Sequence, residues 1–257
     1  GSIVGGGGVL IAQYWGKNDR TMAKNLFCML MKWAFGISFV FFALAMFAPH
    51  WLMRIYTPDE TLIRIGSSYL RAVGTSYLFA GVTQCYYLVM KLEGKASKSV
   101  VISVVTLITD MTLDFFLIYG IAGVPKLGAN GSAYSTVAVE LIALVWCIAE
   151  SFRGDSIRPD RKAFRWFSAA ITKDLLKISA PMLGSSLAWG IGFSMHSLIM
   201  GHLGTDATAA ASIASVAQEL ITCICMGFSA GAGIMIGKLL GQSLYDKAKT
   251  YGKKFCH

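Results

Sequence analysis

The chain repeats one glycine-rich segment near both of its ends, and this repeat constrains its architecture more than any other feature. GGGGVLIAQYWGKNDRTMAK, residues 5–24, recurs as AGAGIMIGKLLGQSLYDKAK, residues 230–249. At a constant offset, the positions that match are Gly6, Gly8, Ile11, Gly16, Ala23 and Lys24 with Gly231, Gly233, Ile236, Gly241, Ala248 and Lys249. Composition alone would give roughly one or two such matches, so we interpret the segment as an internal repeat. Because one copy opens the chain and the other nearly closes it, we expect the chain to be a piece of a longer protein.

The composition indicates a membrane protein. Hydrophobic residues make up 55% and charged residues 14% of the 257 residues, and mean hydropathy is +0.57. Several nearly uncharged runs are about 20 residues long, the length that crosses a bilayer as a helix. The net charge of +9 is spread between these runs and does not form the single basic stripe that binds nucleic acid. We therefore predict an all-α polytopic protein whose partner is the lipid bilayer and not nucleic acid.

The apolar runs predict six complete transmembrane helices, preceded by the end of a seventh over residues 2–15. The complete spans are residues 25–47, 67–92, 100–119, 132–148, 180–202 and 207–240. With the turn after Trp15 in the cytoplasm, nineteen of the 23 lysines and arginines fall on the cytoplasmic side. This asymmetry obeys the positive-inside rule. The location we predict is the cell (inner) membrane, with multiple passes.

The orientation of the two repeat copies predicts the architecture of the parent protein. Six spans separate Gly16 from Gly241, so both copies leave the membrane in the same direction. Such parallel repeats form two halves related by an axis along the membrane normal. We expect a two-lobe transporter of twelve helices. In this scheme residues 1–149 form part of the N-lobe, residues 150–176 a cytoplasmic linker, and residues 177–257 the start of the C-lobe.

Acidic and hydroxyl side chains inside the spans are the candidate site, because charges at membrane depth are costly and functional by default. Asp110 and Asp114 are four residues apart and share one helical face, and Ser103 and Thr106 extend this stripe. Ser132, Thr136 and Glu140 form a second stripe on the next helix. Together the two stripes could line a cavity for a proton, a sodium ion or an organic cation. Interface placement of Asp114 and interhelical hydrogen bonding by Glu140 are the alternatives, and Arg71 is expected to snorkel to the outer interface.

Enzymatic chemistry has little support in the sequence. The six cysteines lack the companions and spacing of zinc or redox sites. A membrane-embedded aspartyl protease would need aspartates on separate helices, with a glycine before the catalytic one, whereas Asp110 and Asp114 share a helix. We predict no catalytic residue, no metal site and no cofactor apart from a coupling ion.

Several segments resemble the multidrug and toxic compound extrusion (MATE) family, in the family's order and over essentially the whole chain. They are IAQYWGKND, SYLRAVG, LEGKAS, TDMTLDFFLIYG, GANGSAYSTV, KISAPMLGSS and LIMGHLG. By this resemblance the chain corresponds to the end of helix two and helices three to eight of twelve. The remaining helices of the same polypeptide would then be partners of this segment.

The resemblance implies an antiporter that exports lipophilic, often cationic drugs or toxic compounds in exchange for Na⁺ or H⁺. Asp110 and Asp114 fall on the family's helix-five pair of an amide or carboxylate and a carboxylate, and Thr136 matches its helix-six hydroxyl. The essential aspartate of helix one has no counterpart in the chain. The helix-seven glutamate of some members is replaced by Trp189. The ion- or substrate-binding residues expected are Asp110, Asp114, Thr136, Glu140 and Thr106.

One other transport function stays open, and the segment by itself is a separate question. A flippase of lipid-linked precursors, or a polysaccharide exporter of related architecture, would carry more basic residues in its cavity helices, whereas the mid-span charges here are acidic. The isolated segment is also expected to lack activity of its own, since a lobe's worth of helices is missing.

Overall fold

The computed structural model describes residues 2–56, 60–120, 127–153, 157–159, 163–164, 168–202 and 205–256, and its regular secondary structure is helical throughout. The helices are α1 (Ser2–Gly16), α2 (Arg20–Phe47), α3 (Pro49–Tyr56), α4 (Glu60–Leu92), α5 (Ala96–Tyr119), α6 (Ala129–Phe152), α7 (Ala169–His202), α8 (Thr205–Gly241) and α9 (Tyr245–Cys256). Every predicted span lies within one of them. The all-α fold is therefore confirmed.

Helix length and composition fit a protein that crosses a membrane several times. Within the described ranges, four stretches are long and apolar enough to span the bilayer: α2, α5, α6 and residues Ala210–Gly241 of α8. The more polar α4 and α7 have 33 and 34 residues, so each is about 50 Å long at 1.5 Å per residue. Large apolar side chains such as Phe41, Ile108 and Leu220 are exposed, as expected of surfaces that face lipid.

The contacts divide the chain into two compact units, residues 27–166 and residues 1–26 with 167–257. In the first unit, α2 and α4 pack antiparallel. Phe27 meets Tyr86 edge to face, with ring centroids 5.4 Å apart. Further along, Gly81 lies against Ser38 and Gly74 against Ala45, and the absence of side chains at these glycines allows the helices to approach closely. The predicted division into two lobes and a linker stays a prediction.

The second unit packs α1 against both α7 and α8. Gly6 of α1 lies against Ser179 of α7, where any side chain would collide. Both repeat copies then end in the same turn. Asn18 and Ser243, which are equivalent in the repeat, have φ angles of 59° and 60°. The backbone amides that follow them, of Asp19 and Leu244, each bond the carbonyl five residues back at 3.0 Å, the Schellman pattern. The repeat is thus present in the structure as well as in the sequence.

Candidate functional site

Helix α5 turns an apolar face outward and a polar stripe inward. Leu107, Ile108 and Met111 are exposed, whereas Ser99 and Thr106 are buried. The inward stripe continues to Asp110 and Asp114, both half-buried, because residues four apart lie on the same helical face. The helix therefore presents hydroxyl and carboxyl groups to the interior of its unit.

Helix α6 reaches this stripe through a line of small buried residues. The line is Gly131, Ser135, Val139, Ala143, Cys147 and Ser151, each four residues from the next. At its outer end, a Cβ atom on Gly131 would lie 2.8 Å from the backbone carbonyl of Leu117. This glycine therefore allows α6 to touch the backbone of α5, which brings the next residue of the line, Ser135, to the carboxylates.

Ser135 holds Asp114 across the helix interface. Its hydroxyl donates to Asp114 Oδ1 and lies 2.9 Å from the carbonyl oxygen of Ser132. Ser135 is 0% exposed and also interacts with Asp110. The serine therefore lies between the two aspartates and fixes the orientation of one of them.

Asp110 is the carboxylate with a free acceptor. Its Oδ1 atom is buried and has no hydrogen-bond partner among the described residues. Its charge interacts with those of Asp114 and Glu140, so acidic groups of two helices share one region. The sequence has no lysine or arginine between Lys98 and Lys126 or from residue 127 to 152. A cation or a proton would satisfy this unpaired acceptor and relieve the repulsion between the carboxylates.

Hydroxyl groups surround the carboxylates on the cytoplasmic half of α5. Thr106 Oγ1 donates to its own helix, at 2.9 Å from the carbonyl oxygen of Ile102 and 3.0 Å from that of Ser103. Tyr87 of α4 interacts with Ser103, Thr106 and Glu140. Three helices therefore meet here. Since the threonine hydrogen is used by the backbone, the Thr106 oxygen can take part in further contacts only as an acceptor.

The structure brings most of the predicted site residues together, but it also adds residues that the sequence pattern did not indicate. Asp110, Asp114, Glu140 and Thr106 lie in one region, whereas Thr136 donates to the carbonyl oxygen of Ser132 at 2.9 Å and has no hydrogen bond to a carboxylate among the described residues. Sequence reasoning missed Ser135 and Tyr87. The four-residue line of small residues through Gly131 was the signal for Ser135, because such lines mark close helix contacts.

Two further observations concern metal ligands and the position of Trp189. In the described part of the chain, no group of three or more His, Cys, Asp and Glu side chains could hold a metal ion. In the other unit, Trp189 is 68% exposed and stacks on Phe193 with ring centroids 5.6 Å apart.

Comparison with known proteins gives one family. The MatE family model matches residues 2–116 and 181–256, more than half of the chain. The chain is 24% identical over 260 residues to "Probable multidrug resistance protein NorM" of Geobacillus kaustophilus, covering 97% of this chain and 56% of the relative. It is 23% identical over 247 residues to "Uncharacterized transporter YisQ" of Bacillus subtilis, covering 96% and 54%. The chain therefore spans about half the length of the curated relatives it matches.

Solved structures show the same fold. An outward-facing multidrug resistance MATE transporter of the MOP superfamily matches with a TM-score of 0.80 at 17% identity, over 97% of this chain and 55% of that one. A MOP superfamily transporter from Pyrococcus furiosus matches with the same score, identity and coverage. The resemblance seen in the sequence motifs is thus confirmed by the family match and by the fold. The chain belongs to the MatE family of membrane transporters, which are not enzymes.

Proposed function

We propose that the full-length protein containing this chain is a secondary antiporter of the cell (inner) membrane that exports lipophilic, cationic compounds in exchange for Na⁺ or H⁺. The observation that carries the proposal is the buried, unpartnered Oδ1 atom of Asp110 beside Asp114 and Glu140. An intramembrane carboxylate without a basic partner is suited to bind a cation or a proton reversibly.

Each residue of the site has a distinct role in this proposal. Asp110 binds the coupling ion or the outgoing cation directly, and Asp114, oriented by Ser135, adds a second negative charge. Glu140 makes the electrostatic potential of the region more negative, and the oxygens of Thr106 and Thr136 contribute neutral ligands. Because both cations need the same negative charge, binding of one weakens binding of the other, and this coupling is reciprocal.

The relatives support drug export as the transported class. Several carry the name "Probable multidrug resistance protein NorM", from Geobacillus kaustophilus, Mannheimia succiniciproducens and Agrobacterium fabrum, at 24–27% identity. The missing helices of the polypeptide would complete the cavity, and alternating access would follow if the coupling ion and the drug favour different lobe arrangements.

Efflux of ethidium from loaded cells tests the proposal in the full-length protein. Asp110→Asn keeps the size of the side chain and removes its charge, so we expect efflux to fall to the background of cells without the transporter. Asp114→Asn should lower efflux strongly. Asp174→Asn, the same change at an exposed position of α7, is the matched control and should pump normally at equal membrane expression.

Proteoliposomes then identify the ion. Transport by the wild type should require either an imposed Na⁺ gradient or an imposed H⁺ gradient, and Asp110→Asn should respond to neither. Normal efflux by both aspartate variants would contradict the assignment of this site. A wild-type protein that moves no organic cation would instead favour the lipid-linked precursor flippase.

A further inference from the structure

A basic cavity lies near the start of α4, in the unit formed by residues 27–166. Its volume is about 620 Å³, and its polar lining comes from His50 of α3, from Arg64, Ser67, Ser68, Arg71 and Thr75 of α4, and from Tyr134 of α6. All of these α4 residues except Ser68 recur every three or four positions, so they form one stripe along the helix. By the positive-inside orientation, this end of α4 faces the outside of the cell.

The geometry of the stripe suits an anion with several oxygens. Arg64 and Arg71 are two helical turns apart, or about 10 Å along the axis, and serine hydroxyls lie between them. His50 Nδ1 is 3.2 Å from Ser67 Oγ, which ties α3 to the stripe. Guanidinium groups donate hydrogen bonds in a planar fork that matches phosphate oxygens.

The charge of the cavity is not balanced by the protein in the part of the chain that the structure describes. None of its lining residues is acidic. The nearby Glu60 is already paired, at 3.6 Å, with Arg54. Arg64 and Arg71 have no ion pair with any described residue and are exposed to solvent. A cavity with two unpaired arginines attracts an anion from outside.

A second, smaller cavity continues from the first and adds a hydroxyl-binding group. Its volume is about 360 Å³, and it shares Arg64 and Ser68 with the larger one. Asn130 lines it and donates to Ser68 Oγ at 3.0 Å. The other amide atom, Asn130 Oδ1, is buried and has no hydrogen-bond partner among the described residues. A ligand that offers a hydroxyl group next to its anion would satisfy this acceptor.

From these contacts we infer that Arg64 and Arg71 form an anion site on the outer side of the protein, for a phosphate group that carries a neighbouring hydroxyl. Phosphoglycerol has this chemistry, with the phosphate between the arginines and a glycerol hydroxyl at Asn130 Oδ1. Its source is either the headgroup of an anionic phospholipid or a soluble phosphate ester. The site is distinct from the α5–α6 carboxylates and does not depend on the proposed antiport.

Native mass spectrometry of the full-length protein tests the lipid source. Phosphatidylglycerol and phosphatidylcholine with the same acyl chains are titrated into delipidated protein, and we expect preferential retention of phosphatidylglycerol. Arg71→Gln should weaken its binding about tenfold, because a charge-assisted hydrogen-bonded pair is lost. The double variant Arg64→Gln/Arg71→Gln should bind the two lipids equally. Lys91→Gln removes one positive charge from an exposed position at the far end of α4, which lines neither cavity, and is the matched control.

Isothermal titration of glycerol 3-phosphate into the same delipidated protein tests the soluble source, with the same three variants. Binding of glycerol 3-phosphate without lipid preference would assign the site to a soluble ester. Arg71→Lys, which keeps the charge and loses the planar fork, separates recognition from simple attraction and should lie between wild type and Arg71→Gln. The inference is overturned if the wild type binds neither probe, or if the double variant binds the probe that the wild type binds as tightly as Lys91→Gln does.

Discussion

Gly16 and Gly241, equivalent positions of the repeat, make reciprocal contacts. Gly16 lies against the backbone carbonyl of Lys238, three residues before Gly241, and Gly241 lies against the carbonyl of Gln13, three residues before Gly16. Ala12 and its equivalent Gly237 face one another directly, since a Cβ atom on Gly237 would lie 2.9 Å from Ala12 Cβ. A local twofold axis therefore passes between Ala12 and Gly237, and the repeat packs copy against copy.

This local symmetry predicts an efficient disulfide between equivalent positions. In a background with the six native cysteines replaced, Ala12→Cys/Gly237→Cys should crosslink on mild oxidation after the two helices move apart by about 1 Å, because a disulfide needs Cβ atoms roughly 3.5–4.5 Å apart and these two would start at 2.9 Å. If the two copies must separate during transport, the crosslinked protein should also stop ethidium efflux, and reduction should restore it. The measurement is the gel mobility of a protein cleaved between the two cysteines, together with efflux.

The control pair for the crosslink is Ala12→Cys/Gly233→Cys, because no atom lies within 4 Å of a Cβ on Gly233. Crosslinking of the control as fast as the test pair would contradict the symmetry axis. Full efflux by the crosslinked protein would show that this contact is static during transport.

Ser135→Ala should weaken the coupling site without unfolding the protein. The variant deprives a part-buried carboxylate oxygen of Asp114 of its donor, a loss of about 1–3 kcal/mol. The concentration of coupling cation needed for half-maximal transport in proteoliposomes should therefore change roughly tenfold. Ser99→Ala is the control, since Ser99 is equally buried and bonds only the carbonyl oxygen of Ala96, at 2.8 Å. Equal effects of the two variants would rule out a role for the Asp114 contact.

Gly131→Ala should destabilise the packing of α5 against α6. The new methyl group would lie 2.8 Å from the carbonyl of Leu117, and overpacking of this kind costs about 1–3 kcal/mol. The thermal unfolding midpoint in detergent should fall by several degrees. Gly36→Ala is the matched control, because a Cβ at that position of α2 has no atom within 4 Å and alanine favours the helix by up to about 1 kcal/mol. An unchanged midpoint for Gly131→Ala would show that the two helices are farther apart.

Glu93 anchors the segment after α6 to the turn between α4 and α5. Its carboxylate is 2% exposed and pairs with Lys95 at 2.9 Å, and it accepts the backbone amide of Ile157 at 2.6 Å. Glu93→Ala removes this acceptor, so hydrogen exchange of the Ile157 amide should accelerate at least about tenfold, the equivalent of one lost charge-assisted bond.

The control for the anchor is Glu60→Ala, which removes a partner of an ion pair exposed on both sides and worth little. Exchange at Ile157 should not change in this control. Slow exchange retained in Glu93→Ala would mean that other contacts hold the segment.

Periodicity alone found the correct helix α6 but not the face of it that meets Asp114. Ser132, Thr136 and Glu140 share one stripe, and Gly131 and Ser135 share the adjacent one, only 100° away around the helix. Both stripes consist of small or polar residues, so hydropathy does not indicate which of them faces α5. The contact of Gly131 with the backbone of Leu117 decides which stripe faces α5, and that contact joins two different helices. The roles of the five predicted site residues stay predictions.

The sequence by itself determined the helical class, the spans, the duplicated unit and the pair Asp110 and Asp114. Bilayer thickness sets the length of an apolar run and the helical period sets the spacing of residues on one face, and both patterns lie within one continuous stretch of the chain. Only the tertiary structure decided that Ser135 holds Asp114, that Tyr87 joins the site, and that Arg71, predicted to snorkel, lines a cavity with Arg64 and His50. These arrangements depend on how closely helices approach and which faces they turn to one another. The steric fit of small residues on separate helices sets that approach, and the spacing of residues within one helix does not encode it.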